Sequence, residues 1–169
     1  MNILNNIYPI PTDPTWDVID VSKLKEYSDC PRKFFWPYVL GWESTAPNNH
    51  LVFGESMHRA IAYLLQTDYS NDNLLHAYEH KFLPYYREHF PASTDELMGA
   101  KTPQSMIYML PQYAQRYKDD HSKFETLHVE VGGAVPISQD RVLHLRIDAI
   151  LRDRTKGFIY AQEHKSGSG

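Results

Sequence analysis

The chain reads as an α+β domain in which helices come first and a mainly antiparallel sheet follows. Three observations predict this. Between residues 53 and 118 apolar side chains recur at helical spacing, most cleanly at Met57, Ile61, Leu64 and Leu65. From Phe124 onward the spacing changes to the alternation of strands. A turn-forming run, Asp153-Arg154-Thr155-Lys156-Gly157, separates the last two alternating segments. A run of helices followed by a run of strands is the pattern of an α+β domain.

Residues 1–20 are rich in Pro and Asp and predict an extended arm, leaving 21–169 as the domain. Val21 to Tyr27 opens a helix, with Ser22 placed to cap it through its hydroxyl. Cys30-Pro31 interrupts it, and Pro31 suits the first turn of a second helix. That helix continues through Leu40 to Gly41, with a kink or early end at Pro37. Its Phe34, Phe35 and Trp36 read as core. Asn48-Asn49-His50 reads as a loop. Helices follow at Phe53–Gln66, at Asp72–Phe90 with a kink at Pro84, and from Thr102-Pro103 to about Lys118 with a break near Pro111. Strands are expected at Phe124–Val131, Val142–Leu151 and Phe158–Lys165.

Bulk properties narrow the function. A length of 169 residues suffices for one domain with a real core. With 17 basic and 21 acidic residues the chain is not a broadly basic nucleic-acid binder, although a local basic patch beside an acidic site is compatible with that balance. A single cysteine excludes an internal disulfide. The N-terminus lacks the basic and apolar regions of a signal peptide. No apolar run reaches membrane-spanning length. A cytoplasmic protein without membrane partners is the expectation.

The last hairpin carries the chemistry. On Phe158–Lys165, alternation puts Ile159, Ala161, Glu163 and Lys165 on one face and Tyr160, Gln162 and His164 on the other. On Val142–Leu151, Leu143, Leu145, Ile147 and Ala149 share the apolar face, opposite His144, Arg146 and Asp148. A short turn makes the two strands antiparallel neighbours, so a suitable register sets Asp148 across from Glu163. Two carboxylates suit a hard cation such as Mg2+ or Mn2+. Lys165 beside them could stabilise negative charge on a phosphoryl group. A surface salt bridge is the plainer reading of the same trio.

Further segments give the trio context. In order they are "SKLKEYSDCPRKFFWPYVLGW", "FGESMHRAI", "HVEV", "LRIDAI" and "YAQEHKSG". Together they resemble the RecB-like nucleases of the PD-(D/E)xK superfamily, in particular phage and bacterial exonucleases and, more distantly, CRISPR-associated iron–sulfur exonucleases. The resemblance spans residues 21 to 169. It implies a restriction-endonuclease-like core and a metal-dependent DNA nuclease, of exonuclease type, serving replication, recombination or repair. Its substrate would be single-stranded DNA or duplex ends, with a helicase or recombination protein as partner. It implies His58, Asp148 and Glu163 as holders of Mg2+ or Mn2+, the backbone carbonyl of His164 as a further ligand, and Lys165 as the residue that helps activate water. Leu145 stands where the family usually has Gly, and Ser166 where Thr is common. The helix expected after the lysine motif, and the strands closing the sheet, are missing, so the domain is expected to be C-terminally incomplete. The alternative is a catalytically inactive nucleic-acid-binding accessory domain of the same fold.

Several residues carry a second meaning. Glu130, just before Gly132-Gly133, is a candidate supporting acid or an ordinary strand residue. Arg32, Lys33 and Arg146 are candidates for phosphate contacts. Cys30 cannot hold an iron–sulfur cluster alone, since such clusters take four ligands. His76 and His80 have the spacing of a zinc pair on a helix, which exposed helix polarity explains better. Gln104 and Tyr108 match a Gln-x-x-x-Tyr spacing but lie on the wrong side of the lysine motif, a coincidence.

Overall fold

A computed structural model describes residues 18–42 and 44–165. The predicted arm lies outside these residues except for Val18–Asp20. The chain divides into two compact units, one running to Thr45 and including Gly132–Arg146, the other comprising Ala46–Val131 and the residues from Ile147 onward.

In the first unit, β1 (Val18–Asp20) leads directly into helix α1 (Val21–Asp29). Asp20, not Ser22, is the cap. Its backbone is extended (φ −136°, ψ 167°), so its carboxylate accepts the Lys23 N–H at 2.8 Å. β1 pairs in parallel with the start of β3 (Val142–Asp153), Val18 opposite Val142 and Asp20 opposite His144. This one parallel pair makes the sheet a mixed one. A strand separated from its neighbour by a long crossover can run parallel to it, and this one precedes all the helices.

Helix α2 (Pro31–Phe34) widens into a π-helical turn over Phe35–Val39, where Leu40 N–H reaches back five residues to Phe35 C=O at 3.1 Å. The disturbance expected at Pro37 takes the form of this widened turn, which accommodates its missing donor and carries the helical run on to Val39. Gly41 reverses the chain at φ +68°, a conformation that costs glycine little. Trp42 N–H then closes on Trp36 C=O at 2.9 Å, and the two indoles stack with centroids 5.1 Å apart. No residue of α1, α2 or the π turn is buried, so the aromatic run is not the core it resembled. Phe34 packs on Tyr27 and Tyr38, while Trp42 is 65% exposed.

The second unit holds the hydrophobic core. Helix α3 (Asn49–Gln66) starts earlier than expected because the Asn48 side chain accepts the N–H groups of His50 and Leu51, turning the predicted loop into a cap and first turn. Its buried stripe, Val52, Phe53, Met57, Ala60, Ile61, Leu64 and Leu65, is the face the 3.6-residue period predicts. Helix α4 (Asn71–His76) passes through a π segment (Ala77–Phe82) into α5 (Leu83–His89). The widening comes immediately before Pro84, which has no N–H to offer the previous turn.

A 3-10 stretch (Ala92–Leu97) leads to α6 (Pro103–Arg116), which is capped by Thr102. That helix runs unbroken through Pro111. The carbonyl Pro111 cannot serve belongs to Ile107, a residue on the exposed side of the helix. After a short helix α7 (Asp120–Lys123), strand β2 (Phe124–Pro136) neighbours β3. Strand β4 (Ile159–Gln162) pairs antiparallel with β3, Ala149 opposite Gln162 and Leu151 opposite Tyr160. Ala149 and Leu151 press into the helical core with Phe53, Leu64, Phe82 and Tyr86. The Tyr86 hydroxyl is satisfied by Lys101 C=O at 2.7 Å.

Candidate metal centre

Three side chains from three elements converge within the second unit. His58 sits on α3, on the flank of the buried stripe between Met57 and Ile61. Asp148 is on β3, where the exposed face of His144 and Arg146 ends and the strand goes under cover. Asp148 is only 7% exposed. Glu130 is on β2, and its backbone is at φ +51°, the one non-glycine residue at positive φ among those described. Such a conformation is uncommon for a non-glycine residue and marks a local departure from regular strand geometry.

The distances are those of donors around one point. His58 Nδ1 lies 3.2 Å from Asp148 Oδ1 and 3.6 Å from Glu130 Oε1. All three candidate ligand atoms fall within 4.8 Å of one another. Donors bound at about 2.1 Å to a single ion stand roughly 3.0–3.5 Å apart at octahedral or tetrahedral angles. Two carboxylates and one imidazole form a donor set that fits a divalent cation with oxygen preference. Gly54 lies one turn before His58, and a methyl group built there would meet nothing within 4 Å.

The chain beyond β4 supports this cluster from one side. The strand was expected to run to Lys165 but ends at Gln162. The reason is a competing acceptor: His164 N–H donates to Asp148 Oδ2 at 2.5 Å instead of to a strand carbonyl. The register sets Asp148 and Glu163 one step beyond the last paired residues, Ala149 and Gln162. Alternation separated His164 from Glu163 and Lys165, and the structure keeps them apart. His164 turns inward, with its side chain 10% exposed and Nδ1 3.7 Å from Asp148 Oδ2. Its Nε2 lies 3.0 Å from the Tyr113 hydroxyl on α6. Burial depresses the basicity of His164, partly offset by the Asp148 carboxylate. Burial also raises the Tyr113 phenol well above its ordinary range.

Glu163 and Lys165 turn outward, with side chains 51% and 77% exposed, and pair with each other. Among the expected ligands, His58 and Asp148 therefore stand together, and Glu163 stands outside the cluster. Glu130, expected only as a supporting acid, takes a place in it. The signal for Glu130 was its position before Gly132-Gly133; its positive φ has no counterpart in the residue pattern. Tyr113 carried no motif at all.

Arg32, Lys33 and Arg146 belong to the first unit. Arg32 and Lys33 are exposed on α2, Lys33 pairing with Glu26 at 2.7 Å, and Arg146 is exposed on β3. Cys30 is an exposed free thiol. The rings of His76 and His80 lie 4.5 Å apart, and His76 stacks on Tyr63. Among the described residues no helix is long and apolar enough to cross a membrane.

No curated protein and no solved structure matches the chain. The family described as the PD-(D/E)XK nuclease superfamily matches residues 19–169, nearly the whole length. The helices followed by a mixed sheet fit an α+β restriction-endonuclease-like fold, and the chain belongs to the PD-(D/E)XK nuclease superfamily.

Proposed function

We propose that the chain is a Mg2+- or Mn2+-dependent deoxyribonuclease of exonuclease type, acting on single strands or duplex ends during replication, recombination or repair in the cytoplasm, in company with a helicase or recombination protein. The observation that carries the metal reading is the convergence of His58 Nδ1, Glu130 and Asp148 oxygens within 4.8 Å. These three residues would hold the cation, with the carbonyl of His164 as a further donor and the carboxylate of Glu163 joining them on turning away from Lys165. A bound divalent cation supplies Lewis-acid stabilisation of the charge that builds on the phosphoryl group.

The chain's own contribution is positional. Asp148, buried and held at Oδ2 by His164 N–H, keeps Oδ1 towards His58. Lys165 projects an ammonium into solvent beside Glu163, where it can meet a phosphate oxygen as a point charge. Arg32, Lys33 and Arg146 add exposed or partly paired positive charge for the nucleic-acid backbone.

The test is cleavage of end-labelled linear single- and double-stranded DNA with Mg2+ or Mn2+ against EDTA. Asp148→Asn should lower the rate by about 100-fold or more, as expected when a group stabilising the transition state is removed. Lys165→Ala should also be impaired. Binding of DNA with no metal-dependent cleavage by folded protein would overturn the nuclease reading in favour of a non-catalytic nucleic-acid-binding domain.

A further inference from the structure

We infer that Tyr113 and His164 form a positioning relay for Asp148: the Tyr113 hydroxyl selects the His164 tautomer whose Nδ1–H faces the carboxylate, and residue 164 thereby holds Asp148 through one oxygen while the other is left to the site. This rests on the reading of Asp148 as a metal-holding residue.

The geometry orders the protons. Tyr113 OH and His164 Nε2 are 3.0 Å apart, and either could donate. Two other phenol rings lie near Tyr113, that of Tyr117 with its centroid at 4.7 Å and that of Tyr69 edge-on at 6.0 Å. On the other side of the His164 ring the Asp148 carboxylate favours a proton on Nδ1, which leaves Nε2 to accept from the Tyr113 hydroxyl. A neutral imidazole that accepts at Nε2 carries its proton on Nδ1. Nδ1 is 3.7 Å from Asp148 Oδ2, longer than a hydrogen bond but close enough for the N–H dipole to favour that oxygen's charge. The same Oδ2 accepts the His164 backbone N–H at 2.5 Å. Oδ1 is left facing His58 Nδ1 at 3.2 Å.

Partners one step behind the ligands commonly fix ligand orientation in this way, and their loss typically costs about 10–100-fold in metal affinity or activity. Neither Tyr113 nor the His164 ring is needed to hold the cation itself. Tyr113 is a positioning residue, and His164 transmits its orientation.

The primary test uses the full chain, metal-free and 15N-labelled at histidine, with the His164 tautomer read from long-range proton–nitrogen correlations. The expected result is the Nδ1–H tautomer in the wild type. Tyr113→Phe, which keeps ring and volume, should lose that preference while circular dichroism shows the fold intact. A wild-type Nε2–H tautomer, or an unchanged tautomer in folded Tyr113→Phe, would overturn the relay. Titration with Mn2+ alone gives the second readout. His164→Asn, which can retain a donor at the Nδ1 position, should bind Mn2+ more tightly than His164→Gln, which cannot. Equal weakening in both would overturn the relay. These measurements use no DNA, so a failure to cleave DNA would count against the proposed function and not against the relay.

Discussion

Glu130 shows what the candidate centre demands of a single residue. At φ +51° it occupies a region that costs a non-glycine residue of order 1–3 kcal/mol. Its carboxylate lies 3.6 Å from His58. Glycine tolerates that backbone and alanine does not, so Glu130→Gly should be at least as stable as Glu130→Ala, by about 0.5–1 kcal/mol in urea unfolding. Both variants should lose Mn2+ affinity alike. An alanine variant more stable than the glycine variant would show that the backbone at 130 is not strained. His58 and Asp148 were legible in the residue pattern, one from its place in a motif and the other as a polar residue in an apolar strand. Glu130 was half legible, because alternation assumes regular strand geometry and its positive φ breaks it. The inward turn of His164 was hidden for a related reason. The pattern separates faces, but which face meets the helices depends on α3 and α6, whose placement no local spacing records.

At the level of elements, the polar links that tie segments together set the response to acid. Arg87 on α5 forks onto Asp95 in the 3-10 stretch, with Nη–Oδ distances of 2.6 and 2.8 Å. The hydrogen bonds from Arg87 hold the Asp95 carboxyl below the ordinary carboxylate range. The native state therefore binds a proton at Asp95 less readily than the unfolded chain. The stabilisation is fully present above the unfolded value, about 4, and is lost as pH falls through the lower folded value. Asp95→Asn should lower the urea midpoint at neutral pH and flatten its decline below about pH 4. A decline as steep as in the wild type would remove Asp95 from the acid response. Helix existence was largely legible from period and caps. The π segments were not, since Pro37 and Pro84 predict a disturbance without saying that a widened turn will absorb it.

For the whole molecule, burial is unevenly shared. Helices α1 and α2 contribute no buried residue, whereas α3 buries eight. Opening free energy follows buried apolar contact, so amides of residues 21–39 should exchange with deuterium well before those of 52–65. Equal protection would show that the first unit has stability its own burial does not account for. The α+β class was legible because helices precede strands in blocks. The parallel β1–β3 pair was not, because three residues before a helix carry too little pattern to be read as a strand.

The stacked indoles behind Gly41 have an optical consequence. All three tryptophans, at 16, 36 and 42, precede residue 45, while nine of the twelve tyrosines follow it. Both described tryptophans, Trp36 and Trp42, lie in the first unit, so their emission is a built-in dye for it. Exciting it selectively reports when Trp36 and Trp42 part, whatever the core around Phe53 and Leu64 is doing. Far-ultraviolet ellipticity is weighted towards α3 to α6 and follows that core. The chain carries its own two-colour label, one colour for each unit.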